Sequence, residues 1–417
     1  MANIGIVGAG VSSLHLGIRL CDANIPATIY APQTAEEFAQ SRMLNSVAHM
    51  DDTIRREREM GIEFWNETNS RICHYRSYNV LLPDGRLEQS RGSLHGDERC
   101  VDYRLYLPRL MQEFVRRGGQ FNYSKPTATN FDELYEHHDL LAIACGKKHD
   151  GFGDFFPQID ELSKFQEPQR RICAGLYTGV RAPEPLSVTF NVSVGHGELI
   201  ELPMETADGP RTALLIEARP EGAMADLMDL DYDADPIAFH DRIVNTLRTH
   251  FPAVFERVDF ERFGLIGAKH LLQGAIRPVT RHSWAEISDG CFAVAIGDLR
   301  CTLDPLTGQG ANLASYGACA LADHIAESDQ QFDQSFFESY DDRVRYRVAG
   351  VVNFTRAMLD PNEHTRKLIH ALPENQAVCD DFSSRFARPE TLWFDVLKDS
   401  ETCEQHIAKF GAAHKVA

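Results

Sequence analysis

A glycine turn set between a strand and a helix near the N-terminus constrains this chain most. Ile4-Gly5-Ile6-Val7 is a short apolar run of buried-strand type, followed by Gly8-Ala9-Gly10. A helical pattern at Leu14, Leu16, Ile18 and Leu20 then runs to about Cys21, and a second strand reads Ala27-Thr28-Ile29-Tyr30. This is a β-α-β unit. Its glycines, Gly8 and Gly10, let the backbone approach a pyrophosphate, whose charge is favoured by the free N–H groups and dipole of the helix start. The third glycine position carries Ser13, at a site that governs helix–strand packing. The second strand ends Tyr30-Ala31-Pro32 with no acid to hold a ribose, and Glu36 and Glu37 come several residues late. One anchor of a dinucleotide site is therefore missing. Arg42 either neutralises the pyrophosphate or sits on the surface.

A second device lies at the far end of the chain. Cys291 to Ile296 is a buried strand ending in Gly297-Asp298, and Asp304-Pro305-Leu306-Thr307-Gly308-Gln309-Gly310-Ala311-Asn312 precedes a helix from about Leu313 to Glu327. A carboxylate at Asp298 suits the second ribose position of an extended FAD. The turn through Thr307, Gly308, Gln309, Gly310, Ala311 and Asn312 aims backbone N–H groups at a place where negative charge gathers, such as the N1–C2=O edge of a reduced flavin. FAD accounts for both devices together. Asp139 to Gly146 is a further buried strand, ending in a glycine close to the cofactor.

Composition excludes several classes. Lysine and arginine number 42 against 61 acids, a net charge of −19. Such a chain repels phosphate backbones and anionic lipid, so neither nucleic acid nor membrane is expected as a partner. No apolar run reaches the roughly 18 residues of a membrane span. The first residues read as a strand rather than a signal peptide. The ten cysteines form no C-x-x-C pair, which fits reduced thiols in a cytoplasmic protein. His137-His138-Asp139 is the one metal-like cluster, but adjacent histidines point apart on a strand or loop, and no metal is expected.

The fold class expected is α/β: a Rossmann-like FAD-binding domain, a β-sheet substrate domain and a helical C-terminal region. The FAD-binding domain takes residues 1–75, 96–175 and 266–330. The substrate domain takes 76–95 and 176–265, with strands at Ser187–Val194, Glu198–Leu202 and Thr212–Ala218. Asp226–Asp235 reads as a solvated loop, and helical spacing follows at Ile243, Val244, Leu247 and Phe251. The C-terminal region, 331–417, opens with a long amphipathic helix to about Asp360. It packs on the substrate domain or forms a homodimer contact, and sequence leaves both open.

The chain resembles flavoprotein monooxygenases of the p-hydroxybenzoate-hydroxylase-type fold, and most narrowly the oxygenase component of two-component styrene and indole monooxygenases. The resemblance rests on Gly5 to Gly10, Leu44-Asn45-Ser46-Val47-Ala48-His49, Val101-Asp102-Tyr103-Arg104-Leu105-Tyr106, Gly195-His196-Gly197-Glu198-Leu199-Ile200-Glu201, Gly297-Asp298 and the Asp304–Asn312 turn. It implies that a separate NADH-dependent flavin reductase supplies reduced FAD. Dioxygen then gives a flavin C4a-hydroperoxide, whose distal oxygen epoxidises a small aromatic alkene such as styrene, or indole. By the same resemblance Asn45, Ser46 and Val47 face the flavin ring at its interface with substrate, and His49 and His74 match histidines of the styrene branch. Asn45, Ser46, Val47, His49 and Pro305 are the candidate catalytic residues, with His49 otherwise a buried histidine satisfied by a hydrogen bond. Glu98 departs from that branch, which has a small polar residue there.

Such an oxygen transfer needs a dry pocket and donors that steady the flavin rather than a protein nucleophile. The absence of H-E-x-x-H, G-x-S-x-G and paired-carboxylate motifs agrees. The missing ribose acid fits a flavin that arrives and leaves. Two rivals stand beside this reading: a reductase or dehydrogenase of the same fold that transfers hydride without oxygen insertion, and a non-enzymic flavin carrier.

Overall fold

The computed structural model describes residues 2–45, 47–65, 72–146 and 149–411. Ser46 lies outside them. Apolar runs of four residues, too short for helices and buried on both faces, form the centre of a six-stranded sheet. Its order is Trp284–Ser288, Cys291–Ala295, Leu140–Ile143, Ile4–Val7, Ala27–Tyr30, Gln120–Asn122. All neighbours are parallel except the edge strand Trp284–Ser288. Ile4 pairs with both Ala27 and Leu140, and Ala295 with Ile143. Helix Val11–Asp22 lies on this sheet, with Tyr103–Arg116 and Gln309–Glu327 packed against it in one apolar core.

A nine-stranded sheet forms the second layer. Arg171–Thr178, Arg211–Ala218, Gly197–Glu205 and Ser187–Ser193 run antiparallel in that spatial order. Ile72–Leu81 then adds parallel to Ser187–Ser193 and pairs with the long strand Leu87–Val101. Leu271–Ala275 pairs with Arg171–Thr178. The strands Ile72–Leu81, Leu87–Val101 and Arg171–Thr178 each run across one of the domain limits drawn from sequence, and all three lie wholly in the second sheet.

Alternation along these strands sends one face to each side. Leu199, Leu214 and Ile216 pack under helix Pro236–His250 through Phe239, Ile243 and Leu247. Ile172, Ile200 and Leu215 face the other way. The acidic stretch before that helix contains a single 3-10 turn, Ala225–Asp229, and Asp226 pairs with Arg242 at 2.6 Å.

The long helix spans Gln334–Leu359, and shorter helices follow to Gly411. They pack on the second sheet: Tyr78 Oη meets Ser383 Oγ at 2.9 Å, and Phe190 joins the cluster of Phe354, Phe382 and Phe386. This face of the second sheet is thus covered by the chain's own C-terminal part. All ten cysteines are free, and among the described residues no helix is long and apolar enough to cross a membrane.

Phe354 is fully buried edge-on to Phe386. Phe354→Ala is expected to destabilise the chain by about 3–5 kcal/mol. Ile237→Ser, at a position 74% exposed, is expected to change stability by less than about 0.5 kcal/mol. Denaturant unfolding of the two variants checks both.

Candidate active site

The two glycine devices meet in space. The turn after Val7 and the turn after Ala295 leave the carboxyl ends of two parallel strands that flank Leu140–Ile143, at the edge where α/β sheets place their ligands. Gly8 has φ +106°, and a Cβ there would lie 2.4 Å from the carbonyl oxygen of Ala144. Only glycine lets the two strand ends approach so closely. Gly297, at φ +62°, packs its Cα side on Ser12 at the start of the first helix; a Cβ would sit 2.5 Å from the Ser12 hydroxyl. One turn therefore rests on the other.

Between them and the second sheet lies a cavity of about 540 Å³. Gly10, Ser12, Gly146, Asp298, Gly308 and Gly310 line one part of its wall, and Leu44, Val47, Ile172, Leu215, Ile276 and Pro305 line another. Helices Val11–Asp22 and Gln309–Glu327 begin at Gly10 and Gly308 with no side-chain cap and no acid in the first turn. Their first N–H groups are left for a ligand's oxygens. A Cβ on Gly10 or Gly310 would meet nothing within 4 Å, so that space is open to a bound group. A long molecule with a phosphate-rich middle and a flat apolar end fits this donor set.

Of the site residues named from sequence, Asn45, Val47, Pro305, Gly10, Gly146, Asp298, Gly308, Gly310 and Ala311 line the cavity. Others are placed differently. Gly8 shapes the turn behind the wall. Ser13 is fully buried, and its hydroxyl has no hydrogen-bond partner among the described residues. Arg42 is exposed and donates to the Ala268 carbonyl at 3.0 Å. Thr307 Oγ1 bonds Thr355 Oγ1 at 2.7 Å, and Gln309 Nε2 donates to the Phe386 carbonyl at 2.9 Å. Asn312 accepts from Met50 N and Thr53 Oγ1 and donates to the carbonyls of Ala48 and Gly308. The side chains of these last three hold the turn in place rather than face the cavity, because each is matched to protein groups brought from other elements.

His49 stands one residue behind the wall. It is buried, donates from Nδ1 to Glu57 Oε1 at 2.7 Å, and accepts at Nε2 from the hydroxyl of Tyr103, 3.1 Å away. Tyr103 itself lines the cavity. On the far side of Glu57 the Tyr106 hydroxyl donates to the same oxygen at 2.6 Å, and His15 Nε2 meets that hydroxyl at 2.8 Å. His15 Nδ1 meets Ser315 Oγ at 3.0 Å, and Arg56 Nε donates to Ser315. The donors run from both sides toward one buried carboxylate. Burial opposes the ionisation of Glu57, but His49, His15 and the Tyr106 hydrogen bond outweigh it and hold the carboxyl below its ordinary range. Burial keeps both phenols protonated and lowers His15 to about 3.

Beneath Pro305, Asp304 is fully buried and its carboxylate accepts from Leu306 N, capping the turn. Burial, then the nearby Asp304, raises Glu217 well above the ordinary carboxyl range. His74 is exposed and pairs with Asp97 at 2.9 Å. Glu98 is buried and pairs with Arg76, which also stacks on Phe386 at 3.8 Å. His138 bonds Tyr30 Oη at 2.8 Å, and no cluster able to hold a metal exists among the described residues. Tyr103, Ser12 and the strand Leu271–Ala275 carry no role in the sequence reading, although Tyr103 belongs to its Val101–Tyr106 motif.

Comparison with known proteins agrees with this geometry. Residues 148–257 match the family model described as "Styrene monooxygenase A putative substrate binding domain". The chain is 36% identical to styrene monooxygenase StyA of Pseudomonas sp over 414 residues, covering 98% of each chain. It belongs to the StyA styrene monooxygenase family. The StyA of Pseudomonas fluorescens is 35% identical, covering 94% of each. Among solved structures, PqsL of Pseudomonas aeruginosa, a probable FAD-dependent monooxygenase, superposes with TM-score 0.60 at 16% identity, covering 91% of this chain and 99% of its own. The flavin-dependent halogenase CmlS gives 0.63 at 14%, covering 95% and 78%. These two show the shared fold. As a StyA-family member the chain is a flavin-dependent monooxygenase, and its cofactor is FAD.

Two tests follow. Gly8→Ala is expected to lower the yield and melting temperature of the fold, whereas Gly10→Ala leaves melting unchanged and weakens FAD binding by about tenfold or more; differential scanning fluorimetry and flavin titration separate them. Unfolded His15 takes up a proton below about pH 6.5, while the folded residue stays neutral to about 3. Acidification therefore favours the unfolded chain through that window, by up to about 1.4 kcal/mol per pH unit. His15→Asn is expected to flatten the slope of unfolding free energy between pH 6.5 and 5.

Proposed function

We propose that this chain is the oxygenase of a two-component pair, taking reduced FAD from a separate NADH-dependent reductase and inserting one oxygen atom of dioxygen into a small aromatic alkene, styrene-like, or into indole. The cavity carries the reading. One part of its wall offers uncapped helix N–H groups, and another offers Leu44, Val47, Ile172, Leu215 and Ile276. Bound there and reduced, the flavin supplies the activated oxygen.

The chain's own residues have a narrower task. Asp298 and the first N–H groups of helix Gln309–Glu327 orient the cofactor, with Pro305 and Asn45 on the wall beside it. The aliphatic wall excludes water and selects an apolar guest. Tyr103 and Asp298 are the titratable side chains among the described lining residues. That composition suits oxygen transfer, which asks no nucleophile of the protein. Tyr103 is held in the wall by the hydrogen bond its hydroxyl donates to His49, whose ring Glu57 orients.

A flavin that visits also fits the dinucleotide site. Glu37 accepts from Thr34 N at 2.8 Å and from Thr34 Oγ1 at 3.1 Å in a helix-capping box, so it is not placed to hold a ribose at the end of Ala27–Tyr30. The proposed supply of electrons from NADH supports a cytoplasmic location for the pair.

Mixing the protein with photoreduced FAD, dioxygen and styrene is expected to yield styrene oxide without any reductase, and indole in place of styrene to yield indigo. NADH with oxidised FAD and this protein alone is expected to give no NADH consumption. Consumption of NADH without epoxide would favour the dehydrogenase reading.

A further inference from the structure

A second cavity, of about 400 Å³, lies between the far part of the second sheet and the C-terminal helices. Tyr78, Phe190, Val192, Leu306, Ile369 and Phe386 give it an apolar interior. This is far beyond the water-sized voids of a packed core and within the range of ligand pockets. The turn Pro305–Thr307 separates it from the cofactor cavity: Pro305 lines the one, Leu306 and Thr307 the other.

Its polar groups divide by depth. Inside, Arg170 is forked onto Glu198 at 2.7 and 2.9 Å and donates to the carbonyls of Gln169 and Leu359. Thr307 is bonded to Thr355. These groups are satisfied by protein. At the mouth stand Arg219, Arg366 and His370, all exposed, and Glu88, which has Arg86 at 3.8 Å. Neither Arg219 nor Arg366 forms an ion pair among the described residues; the Arg366 side chain donates to the Pro361 carbonyl. Two guanidinium groups outside any ion pair among the described residues, with Glu198 near enough to feel the charge of Arg219 but already forked by Arg170, stand at one apolar opening in a chain of net charge −19.

We infer that this cavity is a second ligand site, for a small organic carboxylic acid whose aryl or alkyl body fills the apolar interior and whose carboxylate meets Arg219 and Arg366 at the mouth. The interior has no spare polar group, so the polar end of a guest belongs outside. Arginine recognises a carboxylate through paired N–H donors. The site does not depend on the oxygen-transfer reading, since it has its own lining and mouth. Its occupant would rest on the back of the turn that walls the cofactor cavity.

The test uses 4-phenylbutanoate and its neutral amide as probes in calorimetric titration of the full-length protein at low salt, with and without saturating FAD. One saturable site is expected, with the acid at least tenfold tighter than the amide and unaffected by FAD. Arg219→Gln with Arg366→Gln, both at exposed positions, is expected to bring the acid down to the amide's affinity. Val192→Trp from the sheet side, or Ile369→Trp from the helix side should the first not fold, is expected to remove both. No saturable binding of the acid, equal affinity of acid and amide, or competition between the acid and FAD would each overturn the inference.

Discussion

The first turns of helices Val11–Asp22 and Gln309–Glu327 begin at glycines, without a capping side chain or an acid. Each leaves backbone donors that elsewhere in this chain are met by side chains, as Asp102, Asp235, Asp333 and Asn362 do for their helices. The sheet order sets Cys291–Ala295 and Ile4–Val7 on either side of Leu140–Ile143. Two strand spacings, about 10 Å, therefore separate the two turns. A ligand that bears oxygens along its length satisfies both ends at once. The glycines that make this possible also forbid the side chains that would otherwise have capped the helices.

Charge inside the FAD-binding part is arranged by the same economy of donors. Glu57 lies fully within the core, where an unpaired carboxylate would be strongly disfavoured. It is kept ionised because His49 and Tyr106 both donate to it, backed by Tyr103, His15, Ser315 and Arg56. Removing one member would leave its neighbours without a partner, so the set behaves as a unit. Its outlet to the cavity is Tyr103, which fixes the direction of that phenol without placing a charge on the wall.

The parts legible in sequence are those whose signal is local. The strand–glycine–helix turns at Gly8 and Gly308, the strand ending at Asp298 and the long helix after Gln331 all show within a few residues of chain. Alternation showed the strands from Ser187 to Ala218. The strands Ile72–Leu81 and Leu87–Val101 were not legible as strands, because their length and mixed polarity follow from pairing with Ser187–Ser193 and from cover by the C-terminal helices. The Glu57 set was hidden for a related reason: His49 and Glu57 are close in sequence, but Ser315 reaches them only through tertiary packing. Thr307, Gln309 and Asn312 show the converse. Their motif lies in a turn beside the cavity, while their side chains serve the protein.

Asp304 caps the turn from below, Thr307 ties it to the long C-terminal helix, and Gln309 ties it to the Phe386 carbonyl. Asn312 uses both donors and its oxygen on Gly308, Ala48, Met50 and Thr53, which joins the turn to the strand Ala48–His49. With their amides so engaged, Gln309 and Asn312 offer a cofactor backbone rather than side chain, and backbone donors do not move with rotamers. A wall braced from three directions can accept and release a flavin without reshaping itself. The binding energy then goes to positioning the cofactor rather than to reshaping its site.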